Sequence, residues 1–312
     1  LLYSSIVDAI GNTPLVELRN LSPKPGVRFF AKLEGQNPTG SLKDRIAKYM
    51  IDDAEKNGWL THDRTILEPT SGNTGISLAL IGHLKGYRVK VVMPDNVSEE
   101  RAALLRAYGA EIVYSDGAKG TNGSIVRAHE LVHEEPEAYF MPYQYGNESN
   151  PRAHYETTGP EILRDLPDAD VFIAGLGTGG SLTGVGRYLK ERKPDVKVVA
   201  TVPHPGDLVQ GLRSLDEGFI PPVLDESLLD GKIVIDSRVA FAAAKELTQA
   251  EGIFAGISSG AVLRTAQRVA KRLNGGNVVL FLADGGWKYL STRLWTIEHK
   301  DLPEDIESKV WW

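Results

Sequence analysis

Short apolar runs alternate along this chain with longer stretches whose apolar positions recur at helical spacing. The runs at 27–33, 65–67, 89–93, 111–114, 171–174, 196–202 and 278–282 read as strands. Several are apolar at every position, as in strands covered on both faces. Between them, 43–57, 75–85, 99–108, 125–134, 161–166, 181–192, 238–252 and 260–274 read as helices. Ile46, Met50 and Ala54 show the four-residue repeat on the first helix, while Gly86 and Gly109 stop the second and third. Strand–helix alternation predicts an α/β fold with largely parallel sheets. A chain of 312 residues exceeds what one compact core usually holds, so two lobes are expected. The seam is expected near 146–151, where Gly, Asn, Ser and Pro cluster.

Composition narrows the functional classes. Charged residues make up 24% and hydrophobic ones 42%, an ordinary soluble mixture, and the formal net charge of -6 opposes a nucleic-acid partner. With no cysteine, disulfides, thiolate metal sites and cysteine nucleophiles are excluded. The seven histidines are scattered, with no i,i+4 pair beside an acid, so no metal site is expected. No apolar run is long enough to cross a membrane and no leader pattern is seen, so a cytoplasmic location is expected. Arg101, Arg106 and Lys119 read as solvated charges, and His154 and His204 as ordinary polar contacts.

Three polar segments carry the candidate chemistry. Gly175-Leu176-Gly177-Thr178-Gly179-Gly180-Ser181 follows a strand and opens a helix, the geometry in which backbone N–H groups cradle an anion. A dinucleotide site would want an acid at the end of the next strand, where Thr201 and Pro203 stand instead. The hydroxyls of Thr178 and Ser181 favour a terminal phosphate over a dinucleotide or a purely structural turn. Thr70-Ser71-Gly72-Asn73-Thr74-Gly75 reads either as a carboxylate nest or as a capped helix start. Lys43, in Asn37-Pro38-Thr39-Gly40-Ser41-Leu42-Lys43-Asp44-Arg45, lies in the first turn of a helix that Thr39 or Ser41 can cap. A cation at a helix start is disfavoured, which lowers its pKa as a Schiff-base amine requires. One lysine and two anion-binding loops suit pyridoxal phosphate and an amino-acid substrate.

These segments resemble the fold-type II pyridoxal-phosphate enzymes, in particular the cysteine synthase and cystathionine β-synthase branch. Matching runs are Gly11-Asn12-Thr13-Pro14-Leu15, Lys32-Leu33-Glu34, 37–45, 68–75, Gln144-Tyr145-Gly146-Asn147, Thr158-Gly159-Pro160-Glu161, 175–181 and Gly256-Ile257-Ser258-Ser259-Gly260. The resemblance implies a two-lobed, tryptophan synthase β-like α/β fold with mostly parallel sheets. Residues 1–10 and 36–147 would form a small lobe and 11–35 and 148–312 a large one, with the cofactor between them. A homodimer is implied as well. Lys43 would carry pyridoxal 5'-phosphate as an internal aldimine and serve as the general base. Asn73 would bond the cofactor's phenolic oxygen, and Gly177, Thr178, Gly179, Gly180 and Ser181 would hold its phosphate. Ser258 would meet the pyridine nitrogen, while Thr70, Ser71, Thr74 and Gln144 would grip the substrate carboxylate. A hydroxyl partner makes the ring a weaker electron sink than a carboxylate would, favouring prompt loss of a β-substituent. The implied reaction is β-replacement through an aminoacrylate, a transferase reaction.

Arg213 bears on the leaving group. Gln210-Gly211-Leu212-Arg213-Ser214-Leu215-Asp216-Glu217 precedes Gly218-Phe219-Ile220-Pro221, a variant that resembles the O-phosphoserine-dependent cysteine synthases. There an arginine in this loop recognises the substrate phosphate, to which a guanidinium fork is matched. The bland alternative is a surface arginine paired with Asp216 or Glu217. The reaction expected is L-cysteine synthesis from O-phospho-L-serine, with sulfide or a thiocarboxylated sulfur-carrier protein as donor. O-acetylserine sulfhydrylase is the runner-up, and a serine/threonine dehydratase-type elimination follows. Asp284 stands where the cysteine synthases more often have serine. Trp311 and Trp312 read either as an active-site cover or as a contact with a partner subunit.

Overall fold

The computed structural model describes residues 2–70, 72–207, 209–215 and 218–296. Its strands, numbered along the chain, form two sheets. The larger runs in the order β1 (Leu15–Leu18), β2 (Val27–Leu33), β10 (Gly276–Leu282), β7 (Ala169–Gly175), β8 (Lys197–Pro203), β9 (Gly231–Ile235). Only β1 and β2 pair antiparallel. The smaller sheet, β5 (Glu111–Ser115), β4 (Arg88–Pro94), β3 (Thr65–Pro69), β6 (Tyr139–Phe140), is wholly parallel. The expected α/β fold with mostly parallel sheets is the one found.

Burial on both faces explains the continuous apolar runs. Successive side chains point to opposite sides of a strand. Phe29, Ile173, Val278 and Leu280 therefore pack toward α8 (Ser237–Glu251) and α9 (Ile257–Ala270), meeting Ala243, Leu247 and Leu263. Phe30, Phe172, Val279 and Phe281 take the opposite face with Leu182, Val185 and Leu189 of α7 (Gly180–Arg192). In the smaller sheet, Ile66, Val91 and Met93 pack on Ile46 and Met50 of α1 (Lys43–Lys56) and on Ile76 of α2 (Asn73–Leu84). Leu67 and Val92 face Ala128 of α4 (Gly120–Glu134) on the other side. Between the sheets in sequence, α5 (Ser149–Ala153) runs through a π-helical turn, His154–Thr158, into α6 (Gly159–Asp165).

Several matching runs with no place in the expected cofactor site meet in one buried charge network. Arg45 donates to Glu34 through Nε (2.7 Å) and Nη2 (2.9 Å), and to Glu161 through Nη1 (2.7 Å) and Nη2 (2.8 Å). Lys32 Nζ lies 2.7 Å from Glu161, and the Thr13 hydroxyl donates to Glu34 at 2.7 Å. Burial pushes both glutamates toward neutrality, but Arg45 and Lys32 outweigh it, leaving Glu34 below its ordinary value and Glu161 at about 2. Two cations and two anions cancel, and every one has a hydrogen-bond partner. The network ties β2, α1 and α6 together directly behind the helix that begins at Lys43.

Candidate active site

Lys43 is the first residue of α1. Leu42 N donates to Ala283 O at 2.9 Å, pinning the preceding residue to the segment after β10. Of the two expected capping hydroxyls, Ser41 accepts from Lys43 N (3.2 Å). Thr39 instead bonds Asp44 with both its N–H (2.7 Å) and its hydroxyl. The Lys43 amine has no hydrogen bond to a described residue. Burial lowers its pKa to about 8, and Asp284 opposes the shift. Desolvation is the largest cause of that shift.

The second loop follows β3. Thr70 is buried, and Asn73 and Thr74 begin α2, two residues earlier than the apolar pattern suggested. Thr74 Oγ1 donates to Gln144 Oε1 at 2.7 Å, fixing that amide at the cavity wall. The backbone of Gln144 is fixed from below, because Glu68 accepts Tyr143 N at 2.8 Å and Gln144 N at 3.1 Å. Burial pushes Glu68 up to about 7 despite these donors. Ser71 lies outside the described residues.

The third loop leaves β7 and turns at Gly179, whose φ of +85° is open to glycine and strained for other residues. Its position as N-cap of the thirteen-residue α7 aims helix-start N–H groups at the cavity. Asn150 links this loop to the substrate side, since its Nδ2 donates to Thr178 Oγ1 (3.0 Å) and to Gln144 O (2.8 Å). Sequence reading missed that bridge. Ser258 lies in the first turn of α9, whose N-cap is Gly256.

These parts converge. One hollow of about 580 Å³ is lined by Lys43, Thr70, Asn73, Thr74, Gln144, Gly177, Thr178 and Arg213, among others. An adjoining one of about 600 Å³ shares Lys43, Asn73, Gly177 and Thr178 and adds Gly179, Ser181, Ser258 and Asp284. Of the described residues given a cofactor or substrate role from sequence, Gly180 alone is not among these, and it opens α7 beside them. Gln210, Leu212 and Tyr289 line both hollows without having been anticipated.

Two arginines correct their bland readings. Arg213 is 7% exposed, with its guanidinium 4.7 Å from the Phe219 ring centre and 5.4 Å from that of Tyr145. It has no carboxylate partner among the described residues, and Asp216 and Glu217 lie outside them. Its burial is not that of a surface residue. Arg101, read as a solvated helix charge on α3 (Glu99–Ala107), is 2% exposed. Its guanidinium lies 5.0 Å over the Tyr289 ring, beside Gly72, which leaves room for it. His154 is buried, bonded through Nδ1 to Thr158 (2.9 Å), and held neutral by burial at about 3. Trp311 and Trp312 lie outside the described residues.

The cavity's residues fit the cofactor expected from sequence. An unpartnered amine faces it, a helix N-terminus and the Ser181 hydroxyl form one end, and Ser258 adds a hydroxyl. Thr201, at the end of β8, bonds Thr265 at 2.8 Å, and no ribose-binding acid stands there. What fits such a site is anionic at one end and reactive toward an amine at the other, which defines an α/β enzyme of the aldehyde-cofactor class.

The chain belongs to the pyridoxal-phosphate-dependent enzyme family, whose model matches residues 6–285, and its cofactor is pyridoxal 5'-phosphate. It is similar to the cysteine synthase of Staphylococcus aureus, with 43% identity over 304 residues, covering 94% of this chain and 97% of the relative. Among solved structures it is similar to a hydrogen sulfide-producing enzyme from Fusobacterium nucleatum, with 44% identity and a TM-score of 0.88 over 92% of this chain and 100% of the other. It is also similar to an O-ureido-L-serine synthase, with 40% identity and a TM-score of 0.89 over 96% and 97% of the two chains.

Proposed function

We propose that this protein is a cysteine synthase that replaces the β-phosphate of O-phospho-L-serine with sulfur. The curated relatives named cysteine synthase support the reaction class. The observation that carries the substrate choice is Arg213, a buried guanidinium without a described carboxylate partner, in the same hollow as Lys43 and Gln144. A planar fork of donors held against aromatic faces suits a phosphate dianion and has no counterpart to meet in a neutral acetyl ester.

In this reading Lys43 is the covalent attachment point of the cofactor and, once released, the base that takes the α-proton of the substrate. An amine shifted to about 8 by burial keeps a usable neutral fraction near neutral pH. Gly177, Thr178, Gly179, Gly180 and Ser181 hold the cofactor phosphate, Asn73 its phenolic oxygen, and Ser258 its ring nitrogen. Thr70, Ser71, Thr74 and Gln144 hold the substrate carboxylate, which orients the Cα–H bond toward Lys43. The bound cofactor supplies the electron sink for breaking bonds at Cα. The donor is sulfide or a thiocarboxylated sulfur-carrier protein, and assays with each separate the two.

The test is kcat/KM for O-phosphoserine and for O-acetylserine, each with sulfide, in the wild type and Arg213→Ala. Losing a buried charge partner costs about 2–5 kcal/mol, so phosphoserine turnover should fall roughly 30-fold to several thousand-fold. Acetylserine turnover should change only a few-fold. Equal losses on both substrates would remove Arg213 from substrate recognition.

A further inference from the structure

Asp284 follows β10 and is 3% exposed. Its Oδ2 accepts from Asn73 Nδ2 at 2.8 Å and from the Tyr289 hydroxyl at 2.5 Å. Its Oδ1 is buried with no hydrogen-bond partner among the described residues. That oxygen lies over Gly256, where a Cβ would come within 2.0 Å, so a glycine there leaves the carboxylate its place. Asn73 is held from its other side as well, by Lys288 Nζ donating to Oδ1 at 2.6 Å. Both Asp284 and Lys43 line the hollow assigned above to the cofactor.

We propose that Asp284 is the counter-charge of the Lys43 nitrogen, keeping that nitrogen protonated while it is joined to the cofactor by a carbon–nitrogen double bond. The proposal rests on Lys43 being the attachment point. The other charged and titratable groups around the nitrogen cannot take this part. Asp44, next in sequence, is turned away toward Thr39 and Ser77 (2.6 Å from the latter). Lys288, Arg101 and Arg213 are cations, Tyr289 already donates to Asp284, and His154 is neutral. Asp284 is accordingly the charge that opposes the burial of the Lys43 amine. A buried carboxylate with one free oxygen remains charged at a cost, and a cation beside it offsets that cost. Serine at this position would hydrogen-bond Asn73 without supplying charge.

The experiment is a pH titration of the visible absorbance of the cofactor-loaded protein, which is lost when the double-bonded nitrogen gives its proton to solvent. In an effective dielectric of about 20, removing a unit charge roughly 6–12 Å from the nitrogen moves such a titration by roughly one to two pH units. Asp284→Asn should therefore lose the visible band one to two units lower in pH than the wild type. Asp284→Ser should do the same, and it decides the matter if Asp284→Asn does not fold. A role limited to holding Asn73 would weaken cofactor retention and leave the titration unmoved, so coincident curves overturn the proposal. A wild type with no visible band would instead overturn the attachment at Lys43, and the counter-charge with it.

Discussion

Arg45→Met removes the centre of the buried charge network while keeping much of the side-chain volume. In the wild type the guanidinium makes two bonds to each of Glu34 and Glu161, all between 2.7 and 2.9 Å. The variant leaves two carboxylates facing Lys32 alone, with Glu34 fully buried. Breaking a buried pair in this way typically costs about 3–5 kcal/mol, because a charge is left without compensation. The pH dependence sharpens the expectation. With Arg45 present both folded carboxyl pKa values lie below the unfolded 4.5, so their stabilisation exists above that value and fades as pH falls through the folded ones. Without Arg45, burial prevails at Glu34, its folded pKa rises above 4.5, and ionisation costs stability as pH rises. Urea denaturation followed by circular dichroism should therefore show a penalty of about 3–5 kcal/mol near pH 7 that shrinks toward about pH 5. A loss under about 1 kcal/mol, or one independent of pH, would refute the role given to the network.

Glu68→Gln places an amide donor against two main-chain donors, so Gln144 should loosen and the KM for the amino-acid substrate should rise more than kcat falls. Since burial raises Glu68 from 4.5 to about 7, its contribution is fully present below 4.5 and is lost as pH rises through about 7. Calorimetric stability of the variant should vary less over that window, where the wild type should decline by roughly 3 kcal/mol. Arg213→Lys keeps the charge without the fork and should recover only part of the phosphoserine turnover lost in Arg213→Ala, as steady-state rates would show.

β7 and β10 were legible because nothing polar interrupts 171–174 and 278–282, and β2 read from Phe29, Phe30 and Ala31 despite Arg28 and Lys32. Of the edge strands, β5 was read at 111–114, but β1, β6 and β9 were not. β1 has one buried residue in four, β6 is two residues long, and β9 alternates in exposure, so none carries a strong apolar run. Lys43, Asn73 and the glycine turn were legible because their chemistry lies in contiguous segments. Asn150, Tyr289 and Lys288 were not, since each acts on a loop that is distant in sequence. Arg101 misled for the same reason: on α3 it reads as a solvated charge, and only Gly72 and Tyr289 make its burial possible.

Half-buried Lys43 and fully buried Lys288 are the two described lysines near the candidate active site, and desolvation brings both amines down to about 8. Lys288 is already bonded to Asn73 Oδ1 at 2.6 Å, whereas Lys43 has no hydrogen bond to a described residue and faces both hollows. Borohydride reduction of the cofactor-loaded protein, followed by proteolysis and mass spectrometry, reads the attachment point directly. The added cofactor mass is predicted on the peptide containing Lys43. Finding it on Lys288, or on no lysine of the cavity, would contradict the account.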